Sequence, residues 1–126
     1  MANILKAGPL EGSFLVSEAE MWRSRDEVEV TIPAGGSPSG SLLKAGTDPG
    51  DPLEVVTAVA DTPVAILLFS QARDDESEAQ DKKATVIARD AEVNGNALAV
   101  PSGVTTAADK ATLGAKLASA GIVVRW

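Results

Sequence analysis

Hydrophobic and polar positions alternate most clearly at Glu27–Ile32, Glu-Val-Glu-Val-Thr-Ile. Val28, Val30 and Ile32 fall on one face, and Glu27, Glu29 and Thr31 on the other. Period 2 with β-branched residues predicts a half-buried strand. Val64–Phe69 is almost continuously apolar and predicts the central buried strand of the sheet. Further strands are expected at Ser41–Lys44, Leu53–Ala60, Pro63–Ser70, Ala84–Arg89 and Ile122–Val124. Turn chemistry separates them at Pro33–Gly40, Gly46–Pro52 and Asp61–Pro63. Asp90–Asn96 turns the chain again, through an Asn-Gly hairpin or through a single helical turn at Glu92. Ala97–Val100 is a short apolar segment stopped by Pro101. The spacing then predicts one helix over Thr106–Ala120. Thr106 and Asp109 approximate a capping box, Leu113, Leu117 and Ala120 form an i, i+4, i+7 stripe, and Gly121 supplies the C-cap. The fold class is mainly β with one late α-helix (α+β).

Residues 1–16 have a different texture. Ile4, Leu5, Leu10, Phe14, Leu15 and Val16 are spaced apolar residues broken by Gly8, Pro9 and Gly12. Such a segment buries little against itself. It is either a disordered terminus or an arm that orders against a partner. The expected organisation is an extended arm over 1–16 and a single domain over 17–126.

Charge and composition narrow the chemistry. The chain has 126 residues, 18 acidic and 11 basic side chains and a net charge of −7. It has no Cys and no His. That removes disulfides, thiol nucleophiles, Ser-His-Asp triads and the usual zinc sites. An acidic chain without a basic run is a poor ligand for nucleic acid. Two acidic groups remain to be weighed as cation sites. Asp48 and Asp51 read as ordinary turn chemistry. Asp74, Asp75, Glu76 and Glu78, within a solvated loop over Arg73–Lys83, lack the ligand spacing of a calcium loop. No metal, cofactor or catalytic residue is expected. No signal-like pattern or apolar run near ~20 residues occurs, so the expectation is a soluble chain used without translocation and without a membrane partner.

Four strings carry a resemblance: Ser17–Asp26 (Ser-Glu-Ala-Glu-Met-Trp-Arg-Ser-Arg-Asp), Ala84–Asn94 (Ala-Thr-Val-Ile-Ala-Arg-Asp-Ala-Glu-Val-Asn), Pro101–Thr105 (Pro-Ser-Gly-Val-Thr) and Leu117–Arg125 (Leu-Ala-Ser-Ala-Gly-Ile-Val-Val-Arg). In order and spacing they resemble the lambda-type bacteriophage head decoration proteins across roughly residues 11–125. None of them is catalytic. The resemblance implies a capsid cement protein with a compact β-clip-like domain, made in the host cytoplasm and carried on the outer surface of the virion. It implies a homotrimer that sits on the expanded head and ties major capsid protein subunits together against the pressure of packaged DNA. It also implies an arm, mobile in the free protein, that orders beside strands of the major capsid protein. On that reading the arm contacts are Ile4, Leu5, Leu10, Phe14, Leu15 and Val16, since strand addition suits an apolar extended segment. Trp22 either packs where the arm meets the body or is a plain core residue.

Two other classes stay in view. A trimeric β-clip nucleotide hydrolase would need a phosphate loop, for which only Gly35–Gly40 is Gly-rich, and it lacks a Lys. A surface-displayed module reading host glycans would need aromatic platforms, and aromatics are 3% of the chain. The small-residue core also predicts stability shared between subunits.

Overall fold

The computed structural model describes residues 12–71 and 79–126, without the side chains of Met21 and Trp22. Ile4, Leu5, Leu10 and the run Asp74, Asp75, Glu76, Glu78 lie outside the described residues. Two β-structures share the chain. Strands β2 (Arg25–Ile32), β3 (Leu42–Lys44), β4 (Leu53–Val55), β5 (Pro63–Leu67) and β6 (Gln80–Ile87) close a barrel in the order β2-β4-β3-β5-β6. Strands β1 (Leu15–Glu18), β7 (Ala91–Asn94) and β8 (Ile122–Arg125) form a three-stranded sheet in the order β1-β7-β8. A short helix α1 (Met21–Ser24) joins the two, and α2 (Ala107–Ser119) precedes β8. The fold is mainly β with one long helix late in the chain.

The continuous apolar run at 64–69 now has a physical reason. Ala65 and Leu67 point into the barrel with Val30, Ile32, Leu43, Ala84 and Val86. Ile66 and Leu68 point the other way, into a second core with Phe14, Val93, Leu113, Leu117 and Ile122. The neighbouring strands divide in the same manner. Leu43 serves the barrel and Leu42 the second core, as do Val86 and Ile87. A strand between two cores needs apolar residues at both parities. The barrel wall is thus a shared partition, and helix α2 covers its outer side with Leu113 and Leu117, both fully buried.

Local chemistry sets α2 as the spacing anticipates. Thr106 is the N-cap and accepts from Asp109 N–H at 3.1 Å. Gly121 takes φ +88, a left-handed conformation that a residue with a Cβ avoids, and ends the helix. β8 then pairs parallel to β7.

Four expectations are corrected. The strand expected over Leu53–Ala60 stops at Val55, because the Asp61 carboxylate accepts from Thr57 N–H at 3.1 Å and Ala58 N–H at 3.3 Å and folds the chain into a turn. The strand expected to begin at Ala84 begins at Gln80, and it ends at Ile87. Its polar half, which the sequence places in a loop, pairs with β2, where Thr31 Oγ1 donates to Asp81 Oδ1 at 2.6 Å. The turn expected over Asp90–Asn96 is confined to Asp90, at φ +51, and to a 3₁₀ turn at Gly95–Ala97, with strand β7 between them. The strand expected over Pro63–Ser70 closes at Leu67.

Candidate functional site

Of the expected arm over 1–16, residues 12–16 are described. Gly12 opens a turn in which Leu15 N–H donates to Gly12 O at 3.0 Å. The Phe14 ring is 1% exposed, inside the second core, and Asn94 N–H donates to Phe14 O at 2.7 Å. Leu15 is half-buried against the same core. Val16, at a bulge in the pairing of β1 with β7, is 57% exposed. Of the residues expected to contact a partner, Val16 is therefore at the surface, while Phe14 is held within this chain. Trp22 lies in α1, and its side chain falls outside what the structure describes.

The residues that carry the family resemblance turn out to be each other's partners. Glu18, from the first string, accepts from Arg25 Nε at 3.1 Å and from the Ser24 hydroxyl. Arg23 reaches Asp90 at 3.1 Å, Arg89 pairs with Asp26, and Arg89 Nη1 donates to Arg23 O at 2.8 Å. Backbone bonds join the same strings: Ala19 N–H donates to Asp90 O at 3.0 Å, and Ala88 N–H to Ser24 O at 2.8 Å. Residues 17–26 and 84–94 thus form the joint between the barrel and the three-stranded sheet. Exposed pairs such as Arg23–Asp90 contribute little to stability. The more buried Glu18–Arg25–Ser24 group fixes where β1 meets the barrel.

That group has a pH signature. Arg25 beside Glu18 holds its carboxyl below the usual glutamate range, against the opposing pull of burial, with help from the Ser24 hydroxyl. A carboxyl whose pKa is lower folded than unfolded contributes stability above the unfolded value and loses it as pH falls through the folded value. Stability should therefore decline more steeply in wild type than in Glu18→Gln once pH falls below about 4.3, the ordinary glutamate value. Denaturant midpoints across acid pH check this, and parallel curves would contradict it.

Outside the joint, Lys44 Nζ pairs with the Asp61 carboxylate at 3.2 Å. A cavity of about 480 Å³ opens on the barrel beside Val28, Leu53, Val64 and Val86, with Asp26, Glu29 and Asp51 among its walls. Asp26 is engaged by Arg89, and Asp51 accepts from Asp48 N–H at 3.0 Å, as the turn reading of that loop expects. The hydroxyl of Ser37, in the Gly-rich loop, and that of Ser41, just after it, are buried and bonded to one another at 2.7 Å, so they face inward rather than toward a ligand. Among the described residues no group of three or more acidic side chains is placed to hold a metal ion, and no helix is long and apolar enough to cross a membrane.

The interlocked strings hold the fold together. No curated protein matches the chain. A family model described as bacteriophage lambda head decoration protein D matches residues 4–122, a range that takes in the joint, the barrel and helix α2. The chain belongs to the bacteriophage lambda head decoration protein D family, a family of structural proteins of the phage capsid.

Proposed function

We propose that the chain binds as a homotrimer to the outer surface of the expanded head and links major capsid protein subunits, so that the shell withstands the pressure of packaged DNA. The observation that carries this reading is the family match over residues 4–122, which includes the apolar segment ahead of the Gly12 turn. Ile4, Leu5 and Leu10, with the exposed Val16, are the contacts. Phe14 and Leu15 root the arm in the body. Residues 1–11 add to the capsid as an extended segment, with backbone bonds supplying affinity and alternate side chains supplying fit. Three arms on one trimer act together, so a weak single contact holds firmly. The role is structural and requires no catalysis and no cofactor.

Heads lacking decoration test the stabilising role. Adding the protein should raise the temperature at which packaged DNA escapes, and an unchanged temperature would contradict it. A trimer also makes a thermodynamic prediction. Subunit association stabilises the folded state by mass action, so the melting temperature should rise with protein concentration. A concentration-independent melt at a sedimentation mass of 12.9 kDa would show a monomer.

A further inference from the structure

We infer that Ser39 is a positioning residue that pins the root of the N-terminal arm; the inference rests on the capsid-contact reading of that arm. The Ser39 hydroxyl stands between two backbone groups. It accepts from Gly12 N–H at 3.0 Å and donates to Leu68 O at 2.7 Å. Its own backbone is fixed on both sides. Ser37 exchanges backbone bonds with Gln71 at 2.9 and 2.8 Å, and Gly40 N–H donates to Leu67 O at 2.8 Å. The hydroxyl therefore transmits the position of the barrel, through Leu68 immediately after β5, to Gly12.

The local conformation shows why a pin is needed there. Gly12 adopts φ +74, where glycine is free and most residues are strained, and a Cβ at this position would stand 3.5 Å from the Leu68 side chain. Glycine leaves the backbone many alternatives, so the turn holds its direction only if something outside it removes them. The Gly12 carbonyl is engaged by Leu15, which lies on the body side of the turn. The Gly12 N–H, on the arm side, is engaged by Ser39. The Ser39 bond is thus the last described tie before residues 1–11 begin. An arm whose root is already ordered loses less freedom on docking.

Three proteins compared in binding to undecorated expanded heads test the pin: wild type, Ser39→Ala and a chain lacking residues 1–11. Ser39→Ala should bind about five- to thirty-fold more weakly, the cost of ordering one further backbone residue on docking. Ser39→Thr, which keeps the hydroxyl, should restore binding. If Ser39→Ala binds as wild type while the truncated chain does not bind, the pin is refuted and the arm reading stands. If the truncated chain binds as wild type, the arm reading itself fails. Hydrogen exchange supplies a readout that does not depend on head binding. In wild type the Gly12 amide should be protected, and in Ser39→Ala it should exchange faster while Val93 and Leu113 stay protected. A Gly12 amide that exchanges in wild type at the rate of an open chain would overturn the inference.

Discussion

Phe14→Ala is expected to cost about 3–5 kcal/mol of folding stability, the range for removing a fully buried aromatic ring. Phe14 is 1% exposed and packs in the core that also holds Ile66, Ile87, Val93, Leu113 and Ile122. Those residues come from β5, β6, β7, α2 and β8, so the cavity would open where nearly every element of the second core meets. Domains of this size have only about 5–15 kcal/mol in total, so the variant should sit near the edge of folding. Denaturant unfolding measures it. A loss below about 1 kcal/mol, the size of an ordinary surface change, would show that the ring is not part of the core.

The second large effect separates holding the fold from holding the head. Removing residues 1–11 leaves Gly12, Phe14 and β1 in place, so the chain should fold with near wild-type stability. If the arms of a trimer make the contact, as proposed, its affinity for expanded heads should fall by about 100-fold or more, because three linked contacts would be lost at once. Removing residues 1–16 should behave differently, since it takes away Phe14 and half of β1. That chain should be unstable, and its failure to bind would say nothing about the arm. A shorter truncation that bound heads as tightly as wild type would place the contact elsewhere on the protein.

Much of the fold is legible where a local rule decides it. Val28, Val30 and Ile32 alternate, and β2 forms. Thr106 and Gly121 bracket a helix, and α2 begins and ends beside them. What escapes a sequence reading depends on partners remote in the chain. Gln80–Lys83 looks like loop because its side chains are polar, yet each residue lies opposite one of β2, with Lys83 across from Glu29 and Asp81 across from Thr31. Cross-strand pairs of that kind stabilise a polar strand and leave no trace in either strand alone. β7 looks like a turn because its parallel partner, β8, lies beyond the intervening helix.

The candidate site is legible in a different way. Apolar spacing marks residues 4–16 as capturable, but it does not say where an arm ends and a core begins. Phe14 and Val16 read alike in the sequence. One is interior and the other is at the surface, because β1 bulges between Leu15 and Ser17 and Phe14 faces a core built from distant elements. The family-like strings at 17–26 and 84–94 are visible in the sequence, but not that Arg23, Asp26, Arg89 and Asp90 are one another's partners.

Attachment to the capsid is most directly tested by sedimenting the full-length chain with expanded heads that lack decoration. The account predicts that the protein pellets with the heads and saturates at a fixed number of copies per head. Protein that stays in the supernatant at every concentration would contradict it.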